Sequence, residues 1–416
     1  MPQFGKEFRK QHFFQLPDHV VPVNNGSYGL PPKEIIDRFH AAFDEDVAFP
    51  DGFLRVRQPV HYKEAVRRVA PILHTAPENL ALLENATTGL NAVFHSLNLR
   101  KGDIVALPVT TYGACQKIVQ FYHDYRGVEL QLVEVAYPVL DAELVAKFRK
   151  VFETHKVKVA LFDTVVSMPG VKVPWEQLVA LCKNFGVISV VDAAHGIGLV
   201  PLDLDKAKPD FLCTNLHKWF YVPRGCALLY VDPQYHRTIQ SLPVAELYVA
   251  PDAELPGDDE NNILYRKFLW TGLRNFAPLM CVSAAIKFRE ETCGGDEAIL
   301  NYCYKLAREA GEVVKSKWPG AQIVENEEGT LSNAMLSFFV PIEEYSNTFD
   351  ATDRDALARL VTFNLDWQLA HKHTFIPIAG HAGKIVARVS ANVFNELDDY
   401  RYACDALDGA LKAFFQ

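Results

Sequence analysis

The sequence predicts an α/β protein: a doubly wound layer around a mostly parallel seven-stranded sheet, followed by a smaller α+β domain. Seven short apolar runs without strict polar alternation recur through the first two-thirds of the chain, as expected of strands buried on both faces. Amphipathic stretches separate these runs, and strand, helix, strand in repetition means parallel strands joined by crossovers. The texture then changes after about residue 275, where long helical segments precede a few strand-like runs.

The predicted strands are 79–85 (NLALLEN), 103–109 (DIVALPV), 128–135 (VELQLVEV), 158–165 (KVALFDTV), 187–193 (VISVVDA), 210–216 (DFLCTNL) and 226–232 (CALLYVD). Helical patterns lie between them at 87–99 and 175–186, the second closing on Gly186 as a helix-terminating glycine. Beyond residue 275 the helical stretches are 280–295 and 299–318, and the strand-like runs are 334–342, 373–378 and 384–391. The acidic, proline-containing stretch 249–262 reads as an exposed loop or lid. The length of 416 residues favours two domains. The expected divisions are an N-terminal segment 1–35, a large domain 36–275 and a small domain 276–416.

Composition excludes several classes of function. Hydrophobic residues make up 49% of the chain, enough for a sizeable core. The net charge of −9, with no Lys/Arg-rich block, argues against nucleic acid or an anionic membrane as the main partner. No window approaches the roughly 20 apolar residues of a membrane span. The N-terminal stretch lacks the apolar run of a signal peptide. Eight cysteines are scattered without a CxxC pair and read as reduced core residues. A soluble cytoplasmic protein is expected. The HKH at 371–373 reads as a solvated turn, so no metal site is expected.

Four strand ends carry residues whose chemistry belongs together. Pyridoxal phosphate needs a lysine for a Schiff base, an anion beside its pyridine nitrogen, donors for its phosphate and a flat partner for its ring. In a parallel sheet these should gather at the carboxyl ends of strands. Asp192 ends one run and could pair with a pyridinium; His195 follows three residues later. Lys218 follows another, with His217 and Asn215 placed to donate to a phosphate. Ala86, Thr87 and Thr88 open the helical pattern at 87–99, where free backbone N–H groups would face a dianion. Tyr112 follows the strand 103–109 and could lie flat on a ring. Taken singly, each has a plain alternative: a turn-capping acid, a strand-end lysine, a simple N-cap, a half-buried tyrosine. Their order along separate strand ends gives them weight.

The set ENATTG, TTYGA, VVDAAHGIG and TNLHKW followed by PRG resembles aminotransferase class V, a group of fold type I pyridoxal-phosphate enzymes. The resemblance is greatest to a fungal branch with sulfoxide lyase, loline-pathway and isopenicillin N epimerase members. That branch shows an N-x-G-[ST]-[FY]-G turn, here Asn24 to Gly29, an FLR (Phe53 to Arg55) followed by Pro59 and Val60, and an SMPG turn from Ser167 to Gly170. The resemblance spans about residues 15–410. It implies pyridoxal 5′-phosphate as cofactor, Lys218 as the Schiff-base lysine, Asp192 as the pyridinium partner and His195 beside the cofactor or reacting substrate. It further implies Tyr112 as the stacking ring, and phosphate contacts from Ala86, Thr87, Thr88, Asn215 and His217. Thr271 would complete the phosphate cradle of a neighbouring subunit, so a homodimer is expected. Arg388 would hold the α-carboxylate of an amino-acid substrate, with Asn25, Tyr28 and Arg55 also facing it. The expected reaction is a C–S lyase or related elimination on a cysteine-derived substrate. An epimerase and a C–C bond-forming cyclase stay open, and a non-catalytic scaffold is the reading outside enzymology.

Overall fold

In the computed structural model, which describes residues 3–254 and 262–416, the seven apolar runs all form strands of one sheet. They are β1 (Leu80–Leu83), β2 (Ile104–Pro108), β3 (Glu129–Val133), β4 (Val157–Asp163), β5 (Ile188–Ala193), β6 (Phe211–Asn215) and β7 (Ala227–Val231). Their order is β1-β7-β6-β5-β4-β2-β3. The strands from β3 across to β6 run parallel, and β7 lies antiparallel between β6 and β1.

Burial on both faces explains why these strands do not alternate. Leu83, Val105, Leu161 and Leu229 point into one apolar cluster, while Leu82, Ala106, Phe162 and Leu228 point into the other. Successive side chains of a strand face opposite ways, so each run must be apolar on both sides. Helices Ala86–Ser96 and Gly113–Arg126 cover the first face, and Trp175–Phe185 packs on the second. The last of these ends on Gly186 at φ 66°, the left-handed position expected of it.

A second, antiparallel sheet holds β8 (Gln322–Ile323), β9 (Met335–Phe339), β10 (Ile378–His381) and β11 (Lys384–Ser390) in the order β10-β11-β9-β8. Two expectations change here. The run 373–378 is not a strand: Ile376 is buried, but its carbonyl accepts from the side-chain amides of Asn364 and Gln368, and its N–H donates back to Gln368. Thr374 makes only an isolated bridge to Val21, and the ladder with β11 begins at Ile378. The stretch 280–295 is helical but irregular, passing from a 3₁₀ turn to α-helix and then to a π-turn over Phe288–Thr292.

The N-terminal segment ties the two sheets together. Gly5 N–H donates to the Val393 carbonyl, and Ser390 N–H donates to the Val23 carbonyl at the end of β11. All eight cysteines are free and buried. Residues 255–261, within the predicted 249–262 loop, lie outside the described residues. Among the described residues, no helix is long and apolar enough to cross a membrane.

Candidate active site

The carboxyl ends of β4, β5 and β6 converge on one buried polar group. Lys218 sits on the short turn Leu216–Trp219 that leaves β6. Its Nζ lies 3.1 Å from Nε2 of His195, which follows β5, and the Trp219 indole N–H donates to His195 Nδ1 at 3.2 Å. Burial pulls the Lys218 amine down to about 8, against the opposing pull of Asp192. Burial, and after it the neighbouring Lys218, Arg388 and His217, hold the His195 imidazole well below its ordinary value. His195 is therefore neutral at physiological pH.

Asp192 ends β5 with its carboxylate held from two sides. The Ala194 N–H donates to Oδ1 at 2.9 Å and the Cys115 thiol donates to Oδ2 at 3.1 Å. Asp163 ends the neighbouring strand in direct register with Asp192, and both acids are buried. Burial, then the like charge of Asp192, raises the Asp163 carboxyl far above the carboxylate range. Buried in register with another acid, Asp163 keeps its proton.

The helix start expected to receive a phosphate is partly self-satisfied. Asn85 caps the helix Ala86–Ser96, accepting from the Thr88 N–H at 2.9 Å and the Thr88 hydroxyl at 3.2 Å. The Ala86 N–H donates to Asn215 Oδ1 at 2.9 Å. Thr87 takes no part in this capping, and Asn215 keeps its amide N–H₂ for another acceptor. His217 departs from the expectation that it donates to a phosphate. Its Nδ1 lies 3.1 Å from the Cys226 carbonyl, which can only accept, so Nδ1 carries the proton. Burial pushes this imidazole down to about 4, so its Nε2 presents a lone pair. It becomes a donor only if a phosphate dianion draws a proton onto it.

On the opposite side, Arg388 projects from β11. Its Nη1 donates to the Ser167 carbonyl and its Nη2 to Asn24 Oδ1 and Ser27 Oγ, each at 2.7 Å for the last two. The guanidinium is buried, and no carboxylate among the described residues pairs with it; burial lowers it to about 10. Its Nε and the nearby Asn25 Nδ2 are buried without a hydrogen-bond partner. The turn that carries Asn25 packs directly on the lysine segment. Gly29 adopts φ +66°, and a Cβ there would sit 1.6 Å from the His217 carbonyl oxygen. A Cβ on Gly26 would meet the Trp219 ring at 2.7 Å. The glycines of the N-x-G-[ST]-[FY]-G turn are thus required by close approach.

Four expected residues stand apart from this group. Tyr112, half exposed, opens the helix Gly113–Arg126 at its N-cap. Tyr28 is exposed, and its backbone carbonyl accepts from Arg224. Arg55 differs from the expectation: its side chain is 80% exposed and pairs with Asp51 one helical turn away, and among the described residues no hydrogen bond or ion pair links it to Lys218 or Arg388. Thr271 lies in the bend after helix Ile263–Leu269, and the same segment's Arg274 forms an ion pair with Glu84, beside the cap residue Asn85. Among the described residues, no hydrogen bond joins Thr271 to the cradle.

Three contributors escape a reading of the sequence alone. Asp163 was available to the same strand-end criterion that selected Asp192. Cys115 stands three residues after the selected Tyr112, with no signal that its thiol meets a carboxylate. Trp219 directly follows Lys218 and reads as an ordinary core aromatic.

The residues fit pyridoxal phosphate: a depressed amine, a charged carboxylate one strand away, a capped helix start and an unpaired guanidinium opposite. Comparison with known proteins agrees. The aminotransferase class V family matches residues 54–340. The hercynylcysteine sulfoxide lyase of Schizosaccharomyces pombe is 27% identical over 96% of this chain and 96% of its own length. A probable chloroplastic L-cysteine desulfhydrase of Arabidopsis thaliana is 28% identical over 95% of this chain and 83% of its own. Among solved structures, C-DES with glycine covalently linked to its PLP cofactor superposes with a TM-score of 0.75 at 16% identity, covering 96% of this chain and 98% of that one. The chain belongs to the aminotransferase class V family and is a pyridoxal 5′-phosphate-dependent enzyme.

Proposed function

We propose that the enzyme cleaves a C–S bond of a cysteine-derived amino acid, with Lys218 as the cofactor lysine and Asp192 as its anionic partner. The names of the relatives above, a sulfoxide lyase and a desulfhydrase, support the bond that is broken. The observation that carries the substrate class is Arg388. A buried guanidinium without an acid partner is costly unless an anion arrives, and an amino acid brings one on its α-carbon. Asn25 Nδ2, buried beside it without a partner, supplies a second donor for that carboxylate.

When bound, pyridoxal phosphate supplies a sink for the electron pair released at the α-carbon. The chain's own residues do the rest. Arg388 grips the carboxylate and thereby orients the α-carbon toward Lys218. The Lys218 amine, lowered to about 8, is a base that can take the α-proton near neutral pH. Asp192, held by the Ala194 N–H and the Cys115 thiol, keeps a negative charge at the sheet end. Thr87, Thr88, Asn215 and the helix start are the phosphate contacts, and Tyr112 is the ring partner. Thr271 completes the cradle in a homodimer, and the divisions 1–35, 36–275 and 276–416 describe its domains.

The test is incubation of the holoenzyme with S-substituted cysteines and their sulfoxides. Pyruvate and ammonia should appear in equal amounts with the released sulfur product. Exchange of the α-proton with solvent, without either product, would instead support the epimerase reading.

A further inference from the structure

Two histidines flank Lys218, and their ring nitrogens are set in opposite senses. His217 is fixed by the Cys226 carbonyl, an acceptor, at Nδ1. His195 is fixed at Nδ1 by the Trp219 indole N–H, which can only donate. A donor at Nδ1 requires a lone pair there, so the single proton of a neutral His195 ring sits on Nε2. That nitrogen is 3.1 Å from Lys218 Nζ.

We propose that Trp219 is a positioning residue: it locks His195 as the Nε2–H tautomer, so that His195 stands as a fixed hydrogen-bond donor to the Lys218 nitrogen and never as a base. The inference deepens the reading of Lys218 as the cofactor lysine and rests on it for its consequence in catalysis, though not for the tautomer itself. The groups that face His195 reinforce the lock. Lys218, Arg388 and His217 all oppose charging of the ring, and among the described residues its hydrogen-bond partners are Trp219 and Lys218. A donor aimed at the lysine nitrogen favours its unprotonated form, which is the form that accepts a proton from substrate. Gly26 lies against the Trp219 ring, so the N-terminal turn holds the indole in place.

The direct measurement is ¹⁵N–¹H correlation of the imidazole nitrogens in the cofactor-free full chain at about pH 9, where the Lys218 amine is unprotonated and can accept. His195 should show a pyridine-type Nδ1 and a pyrrole-type Nε2, and His217 the reverse. The reverse pattern at His195 in the wild type overturns the proposal without any variant. The second measurement is the pH titration of the lysine-linked cofactor's visible absorbance. Trp219→Phe should raise its midpoint by roughly half to one pH unit, the size of one lost hydrogen bond. His195→Gln keeps an acceptor for Trp219 and a donor for Lys218, so its midpoint should stay near wild type. In a His195→Leu background, which leaves Trp219 no ring to orient, Trp219→Phe should shift the midpoint by less than half as much. An equal shift in both backgrounds means that Trp219 acts by packing and overturns the proposal. A chain that takes up no cofactor refutes the reading of Lys218, while the imidazole pattern still decides the tautomer.

Discussion

The two walls of the site are built on different physical plans. The cofactor wall comes from neighbouring strand ends of one sheet, and its groups satisfy one another: Asp192 is held by Ala194 and Cys115, His195 by Trp219, the helix start by Asn85 and Asn215. The substrate wall comes from segments up to 364 residues apart, the turn Asn24–Gly29, the turn Ser167–Gly170 and β11. It leaves two donors unpaired, Arg388 Nε and Asn25 Nδ2. The first wall is largely satisfied within the protein; the second keeps buried donors for the carboxylate proposed to bind there. Charge follows the same division. Asp163 gives up its charge beside Asp192, whereas Arg388 stays cationic against neutral oxygens alone.

This contrast can be broken in order of expected effect. Lys218→Ala should lower turnover by on the order of 10³-fold or more, because positioned acid–base catalysis and the covalent anchor vanish together. Steady-state kinetics on a folded variant, checked by circular dichroism, decides it; a loss under tenfold would remove Lys218 from the centre of the account. Asp192→Asn should cost about 10²-fold or more in kcat, but Asp163→Asn less than about tenfold, since an amide resembles the protonated acid that already stands there. Equal losses would mean that the proton is shared between the two strands.

On the other wall, Arg388→Met should weaken binding of the amino acid by roughly 10²-fold, expressed mainly in KM, while thermal stability does not fall. Removing a buried cation that has no acid partner relieves desolvation as it removes hydrogen bonds. A collapse of Tm would show that Arg388 serves the fold and not the ligand. Gly29→Ala should destabilise by about 2–4 kcal/mol, because neither the positive φ nor the 1.6 Å approach to a backbone oxygen can relax by side-chain movement.

The pH dependence sharpens the same distinction. Lys218 has a folded value near 8, below the ordinary lysine value of 10.5. Between these pH values the unfolded chain binds more protons than the folded one. In the cofactor-free protein, Lys218 therefore adds stability as pH rises from about 8 towards 10.5, and its burial penalty is fully felt below 8. Urea titrations of wild type and Lys218→Ala should converge as pH rises through that window. Turnover should likewise rise through a midpoint near 8 if Lys218 is the base.

Much of the cofactor wall was legible in the sequence for the reason that makes it self-contained. Strands buried on both faces announce themselves as unbroken apolar runs, so the ends of β5 and β6 could be located and Asp192 and Lys218 picked out. Asp163 was missed although it ends a predicted strand, because its meaning lies in register with Asp192, which no single segment displays. Cys115 and Trp219 were missed because a thiol and an indole look like core until a partner is known. The substrate wall was legible only through motif resemblance. Arg388 is buried beside the Asn24–Gly29 turn, while Arg55, from the same kind of argument, lies on the surface beside Asp51. In the small sheet, the run 373–378 had the composition of a strand, but Ile376 bonds to side-chain amides of a neighbouring helix. Local pattern could not show that exchange of partners.

The most direct test is to reduce the yellow holoenzyme with borohydride, digest it and locate the pyridoxyl group by mass spectrometry. The account predicts a single modified peptide, carrying the group on Lys218. Modification at another lysine, or a protein that binds no cofactor and stays colourless, would contradict it.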